Sequence, residues 1–262
     1  MSSFPILVDE WQDLPKGFSP DEDLFVCTDL HGCSEAMERL LSKKPADTRL
    51  VFLGDAIDRG PDPIGVLKRL LAEPDIIILR GNHDAMAWFS YPENPGSPES
   101  RRHWRNNSGD RTKRAFAKAL EAGESPGQHC PSVPAVFENY WTSAKNWWRS
   151  GNFLFVHAGI PADAPEGWLD MDPVYAVCHE DSPYWWRPWS ETERYQKPVY
   201  LNGEALFVVT GHTPCEEKYT ICPFGMMLDK GYSLKLAAEI RAGSASQRAK
   251  VRIIKTKCDE VR

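Results

Sequence analysis

No stretch of this 262-residue chain is apolar for long enough to span a bilayer, so a membrane-spanning helix is not expected. A surplus of positive charge is also missing. Thirty-one Lys and Arg stand against 37 Asp and Glu, for a formal net charge of -6. That balance argues against a general binder of nucleic acid or of anionic membranes, and neither is expected as a partner. An anionic substrate would need a locally positive site made by metals or arginines. Cysteine occurs seven times, an odd total, and never as Cys-x-x-Cys. The expectation is reduced thiols in a cytoplasm, without a disulfide scaffold or a zinc knuckle. The first ten residues lack a basic region followed by an apolar run, so no signal peptide is expected. With no repeat, low-complexity tract or linker in view, residues 1–262 are read as a single domain. Hydrophobic residues make up 42% and charged residues 26%, ordinary values for a globular chain able to bury a core.

What is present is a recurring alternation of apolar runs and amphipathic stretches. Residues 23–28, 49–53 and 76–79 read as buried parallel strands. Between them, 33–44 and 61–71 carry apolar residues at helical spacing, the second with Pro at its start. The β-α-β-α-β order implies right-handed crossovers. From 85 to 150 the pattern changes to a mostly helical insertion expected to cover one side of the site, with helices over 111–121 and 133–149. Further strands follow at 153–156 and 206–209. Four short ones, at 219–222, 225–228, 234–239 and 251–255, are expected to pair antiparallel. Residues 1–22 read as a polar surface lead-in.

Directly after each of five apolar runs sits chemistry. The first leaves Asp29 and His31, the second Asp55, Asp58 and Arg59, the third Asn82, His83 and Asp84, the fourth His157, and the fifth His212. Strands that end in polar loops place those loops at the carboxyl edge of an α/β sheet, where such folds bind ligands. Any one of these histidines could be a hydrogen-bonded or exposed side chain, and Asn82 a turn residue. Five coincidences in order are not expected of chance. Carboxylates and imidazoles without thiolates suit Mn, Fe or Zn better than Cu or Ca. The set is too large for one ion and leaves room for two divalent metal ions, with Asp55 best placed to bridge them. Paired metals are a standard device for in-line displacement at phosphorus.

These motifs, Asp29-Leu30-His31-Gly32, Gly54-Asp55-Ala56-Ile57-Asp58-Arg59-Gly60, Gly81-Asn82-His83-Asp84, His157-Ala158-Gly159 and Gly211-His212-Thr213, resemble the ordered signature of the phosphoprotein phosphatases. That family is a branch of the calcineurin-like metallophosphoesterases. The resemblance runs from about residue 23 to residue 240. It implies an α/β fold, a sandwich of two mixed sheets flanked by helices. It puts Asp29, His31 and Asp55 on one metal, and Asp55, Asn82, His157 and His212 on the other. Mn²⁺ is the expected ion, with Fe or Zn possible. His83 becomes the general acid and Asp58 its orienting partner. Arg59, Asn82 and Arg187 become phosphate contacts, with Arg194 the alternative to Arg187. The implied reaction is hydrolysis of a phosphomonoester by direct attack of a metal-activated hydroxide, with no covalent phosphoenzyme. A phosphorylated protein or small phosphoester is the expected substrate.

Departures from the family pattern carry their own expectations. Thr28 stands where Gly is usual and is expected to affect only backbone packing. Asp84 stands where eukaryotic members tend to have Glu and bacterial ones Asp. Trp104-x-x-Asn107-Ser108-Gly109 resembles a Trp-x-x-Asn-Gly-Gly element of bacterial members, and Asp229-Lys230-Gly231 an Asp-x-Gly turn read as structural. The ten tryptophans have two readings. Core packing accounts for most, whereas Trp185, Trp186 and Trp189, beside Arg187, could line a substrate groove. Among enzymes a bacterial-type protein serine/threonine phosphatase comes first and a symmetrical diadenosine tetraphosphate hydrolase second. An inactive phosphopeptide-binding relative is a third reading, disfavoured by the full set of ligands.

Overall fold

Period-two burial explains how the strands are used. A computed structural model describes residues 9–94, 98–188, 195–215, 220–231, 234–244 and 246–257. The first half runs β1 (Trp11–Asp13), β2 (Leu24–Cys27), α1 (Ser34–Leu41), β3 (Arg49–Phe52), α2 (Pro63–Leu71), β4 (Ile77–Ile78), α3 (Asn82–Trp88), α4 (Pro98–Asn106), α5 (Asp110–Glu121) and α6 (Ala135–Ser143). It continues with β5 (Trp147–Ser150), β6 (Phe153–Val156), α7 (Pro173–Ala176), β7 (Val199–Leu201), β8 (Glu204–Thr210), β9 (Ile221–Cys222), β10 (Gly225–Met227), β11 (Leu234–Arg241) and β12 (Lys250–Lys257). Leu24 and Val26 of β2 and Val51 of β3 face Phe153, Phe155, Phe207 and Val209 in the core between two sheets. Their neighbours Phe25, Cys27, Leu50 and Phe52 point the other way, onto the helices. Strands sandwiched on both faces must be apolar throughout, which is why they read as runs rather than alternations.

One sheet has the order β1-β12-β11-β2-β3-β4, and the other β5-β6-β8-β10-β9, with β7 on β8. β2, β3 and β4 are parallel, whereas β11 is antiparallel to both β2 and β12. The fold is thus mixed α/β with two mixed sheets and seven α-helices among the described residues. No described helix is long and apolar enough to cross a membrane. Ala36, Met37, Leu40 and Leu41 form the buried stripe of α1, as their spacing predicts. Asp62 caps α2 by accepting the Gly65 N–H at 2.8 Å.

Four expectations need correction. The helix expected over 133–149 stops at Ser143, and Trp147 and Trp148 lie in β5, antiparallel to β6. Two adjacent tryptophans suit a half-covered strand as well as a helix, and sheet pairing decides between them. β10 pairs parallel with β8, not antiparallel, and only its other edge, on β9, is antiparallel. The lead-in is not wholly surface: β1 pairs with β12, and Leu14 is fully buried. Cys27, Cys130, Cys178, Cys215 and Cys222 are free, but Cys33 is disulfide-bonded, so the chain is not all thiol. Of the residues named above, 1–8, Trp189, Arg194 and Tyr219 lie outside the described residues.

The loop after β3 meets the loop after β4 at two glycines. Gly54 has φ +100°, and a Cβ there would lie 2.4 Å from the Gly81 nitrogen. A Cβ on Gly81 would lie 2.1 Å from Asp55 Oδ1. Only glycine lets the two strand ends approach this closely, and that approach sets Asp55 beside Asn82 and His83. Gly54→Ala is expected to cost at least about 2 kcal/mol from left-handed strain plus overlap. At roughly 2–4 °C per kcal/mol for a chain of this size, thermal unfolding should start about 4–8 °C lower. An unchanged melting temperature would show that the contact is not tight.

Candidate metal centre

The five strand ends deliver their side chains to one place through unusual backbone. Asp29, His31, Asp55, Asp58, Arg59 and His212 all have positive φ, between 49° and 70°. For residues other than glycine this conformation costs about 1–2 kcal/mol each, and such strain gathers at functional sites. The ends are also tied together. The His31 and Asp29 N–H groups donate to the Asp55 and Gly54 carbonyls, and the His212 N–H donates to Asp29 Oδ2 at 2.9 Å. Asn82, His83 and Asp84 form the first turn of α3, so they stand at a helix N-terminus rather than in a loop.

Hydrogen bonds assign the imidazole tautomers. His31 Nδ1 donates to the Ile57 carbonyl at 2.9 Å, and His157 Nδ1 to the Leu53 carbonyl at 2.8 Å. Each ring therefore aims its Nε2 inward. His31 Nε2 lies 3.8 Å from Asp29 Oδ1 and 3.7 Å from Asp55 Oδ2. His157 Nε2 lies 2.9 Å from Asn82 Oδ1 and 3.5 Å from Asp55 Oδ1. His212 Nδ1 is 3.0 Å from the same Asn82 oxygen. Two groups of possible ligand atoms result, His31, Asp55 and His83 in one, Asp55, His157 and His212 in the other. They share Asp55, and Asp29 and Asn82 adjoin them. His83 stands within the first group although the sequence reading gives it a proton-transfer role.

Beside this cluster, His83 Nδ1 donates to Asp58 Oδ2 at 2.6 Å. The Arg59 guanidinium donates from Nη2 to His83 Nε2 at 2.9 Å and from Nη1 to His31 Nε2. Arg187 is half-buried and reaches the His212 carbonyl at 3.4 Å. Burial, reinforced by the Arg59 charge, holds His31 well below the ordinary imidazole pKa; burial, then His157 and Arg187, does the same for His212. Burial raises Asp55 well above the ordinary carboxylate range, with Asp29 and Asp84 adding to the effect.

The residues present fit divalent cations. Asp29, Asp55, Asp58, Asp84 and Asp229 are five buried carboxylates, faced by buried Lys235 and half-buried Arg59 and Arg187. Excess buried negative charge is costly unless a cation balances it. Burial disfavours the charged forms of His31 and His212, and an imidazole ligand must be uncharged. Oxygen and imidazole donors together suit the mid-series divalent ions.

The sequence profile of the calcineurin-like phosphoesterases matches residues 23–216, most of the chain and all of these strand ends. The chain belongs to that family. Among its relatives, serine/threonine-protein phosphatase 1 of Salmonella typhimurium is 30% identical over 198 residues, covering 74% of this chain and 80% of that one. A symmetrical bis(5'-nucleosyl)-tetraphosphatase of Acidovorax sp. is 42% identical, but over 65 residues, 23% of each protein. The solved structure of a protein serine/threonine phosphatase from Saccharomyces cerevisiae aligns over 98% of this chain and 85% of that one, with a TM-score of 0.54. At 16% identity it speaks for the fold alone. The enzyme is accordingly a metal-dependent phosphoesterase, a hydrolase.

Several residues that shape the phosphoesterase site carry no sequence signal strong enough to assign a role. Asp84 is a bracket between strand ends: its carboxylate accepts the Asp55, Ala56 and Gly81 N–H groups and the Tyr140 hydroxyl. Burial nonetheless pushes its pKa up to about 6. Thr28 does more than pack. Its hydroxyl donates to Asp29 Oδ2 at 2.5 Å, and it fills the space that a Cβ on Gly211 would need. Lys235, from β11, is buried near Asp229 and Asp29 and donates to the Gly231 carbonyl at 3.2 Å. Asp229 accepts the Gly231 N–H at 2.7 Å, the turn expected of Asp-x-Gly. Trp185 and His212 pack perpendicular to each other with ring centroids 5.8 Å apart, and Trp185 lines a cleft of about 240 Å³ with His103, Asn107 and Glu180, whereas Trp186 packs on Gly159 and Tyr195. Trp185 thus lines a cleft, and Trp186 packs among core residues.

Proposed function

We propose that this phosphoesterase hydrolyses phosphomonoesters and acts foremost as a protein serine/threonine phosphatase. The observation that carries the reading is a pair of imidazole and carboxylate clusters sharing Asp55, with the His83–Asp58 pair alongside. Asp29, His31 and Asp55 would hold one divalent ion, and Asp55, Asn82, His157 and His212 the other, with Mn²⁺ the proposed metal. When bound, such a pair makes water acidic enough to serve as nucleophile near neutral pH and balances phosphoryl charge.

The chain's own groups supply the rest. Arg59 and Arg187 approach from two sides and offer fork-shaped donors to the non-bridging phosphoryl oxygens, a geometry lysine lacks. Arg59 now donates to His83 Nε2, so swinging towards substrate would free that nitrogen. Once that nitrogen has taken up a proton from solvent, His83, held through Nδ1 by Asp58, gives it to the departing alkoxide. No cysteine stands among these groups, which supports direct displacement over a thiol-phosphate intermediate.

The protein-phosphatase reading is favoured by the long match to the Salmonella protein, against the short match to the tetraphosphatase. A panel with added Mn²⁺ tests it, comparing a phosphoserine peptide, a phosphotyrosine peptide, p-nitrophenyl phosphate and diadenosine tetraphosphate. The phosphoserine peptide should show the highest kcat/KM. Preference for diadenosine tetraphosphate would transfer the assignment to dinucleotide hydrolysis, and no turnover of any would leave a binding relative. Arg187→Ala should lower kcat/KM for p-nitrophenyl phosphate by roughly 10–100-fold, the worth of one charged hydrogen-bonding group. An unchanged value would remove Arg187 from phosphate binding.

A further inference from the structure

The carboxylate that orients His83 is itself held from outside the sandwich. Asp58 is fully buried and has φ +70°. One of its oxygens accepts a hydrogen bond from the His83 Nδ1–H at 2.6 Å. The indole Nε1–H of Trp104, on α4, lies 3.1 Å from Asp58 Oδ1 and 3.0 Å from Oδ2, so one donor straddles both oxygens. The Asp58 N–H donates to the Thr112 hydroxyl on α5 at 2.9 Å. Side chain and backbone of Asp58 are therefore pinned by two different helices of the 85–150 segment.

Trp104 is in turn built into place. It is buried, its ring lies 5.7 Å from Tyr91, and a Cβ on Gly109 would come within 2.5 Å of the indole Nε1 and Cδ1. The Gly109 N–H donates to the Trp104 carbonyl at 3.0 Å. Ser108, at φ +71°, turns the chain back over the ring. The indole has one hydrogen-bonding atom, a donor, and it is aimed at the carboxylate. A buried carboxylate with only one donor would rotate to follow the imidazole. With a second donor spanning both oxygens, its plane is fixed.

We infer that Trp104 is a positioning residue for proton donation to the leaving group, acting through Asp58 on His83. On this inference the helical segment completes the catalytic apparatus as well as covering it. The inference rests on His83 being the proton donor, and the experiment separates the two. Trp104→Phe keeps the aromatic body and deletes the N–H. Its expected effect is a fall in kcat of about 10–100-fold on a phosphoserine peptide, the usual loss when a supporting partner is removed, with KM within about twofold. On 2,4-dinitrophenyl phosphate, whose leaving group needs no proton, the fall should be within about threefold. A role in packing alone would lower both substrates alike. His83→Asn, run in parallel, should show the same selectivity, and adding Trp104→Phe to it should bring no further selectivity.

A selective His83→Asn beside an unselective or silent Trp104→Phe would overturn this inference alone. An unselective His83→Asn would overturn the proton-donor reading and this inference with it. If Trp104→Phe does not fold, 3-benzothienylalanine at position 104, which replaces the indole N–H by sulfur in the same outline, decides on the same two readouts.

Discussion

Asp55→Asn is expected to abolish most phosphomonoester turnover, by about 10³-fold or more, while leaving the fold intact. The loss corresponds to several kcal/mol of transition-state stabilisation, the scale on which a metal centre acts. Asparagine has the same outline and can still accept the His83 N–H, which Asp55 Oδ1 takes at 2.9 Å. What it lacks is the second anionic oxygen that would face the other ion. Stability should move the opposite way. Burial makes the Asp55 charge costly without cations, so removing it should hold or raise the melting temperature of metal-free protein. Wild type should gain from Mn²⁺ by mass action, about 2.7 kcal/mol at a hundredfold excess over Kd, or roughly 5–10 °C. The variant should lose much of that gain. Metal content by elemental analysis, calorimetry with and without chelator, and steady-state rates together check the prediction. A variant that bound two equivalents of metal and kept its rate would remove Asp55 from the bridging position.

The second large effect is expected of His83→Asn. Turnover of a phosphoserine peptide should fall by about 10²–10⁴-fold, the range that a positioned proton donor contributes. The side chain is fully constrained: Nδ1 is taken by Asp58 at 2.6 Å and Nε2 faces Arg59 at 2.9 Å. Its ring also packs edge-on against His31, with centroids 4.8 Å apart. Asparagine keeps a polar group of similar reach to Asp58 but has no proton to give at this pH. Unchanged turnover of the peptide would show that water or Arg59 protonates the leaving group instead. Full loss of bound metal would place His83 among the ligands, as its proximity to His31 and Asp55 allows.

Much of the site could be read before the fold was known, for a reason particular to this architecture. Doubly buried strands are runs of apolar residues, so whatever polar residue follows such a run stands at the sheet's edge. Asp29, His31, Asp55, Asn82, His157 and His212 each follow one, and the structure brings them together. The failures have an equally specific cause. Trp147 and Trp148 have no periodicity that separates strand from helix, and pairing with β6 decided the matter. β10 is a three-residue strand whose direction depends on which neighbour it finds, and it found parallel β8.

The order and spacing of the motifs alone determined the family, and through it a metal-dependent phosphoesterase on a mixed α/β fold, because local chemistry and strand burial are written in adjacent residues. Contacts made across the fold decided the rest. Trp104 reaches Asp58 over 46 residues, Thr112 over 54, and Tyr140 reaches Asp84 over 56. No local pattern encodes such pairings. They exist because helices from the middle of the chain pack against the strand ends, and burial then leaves each polar atom no partner except the one that packing sets before it.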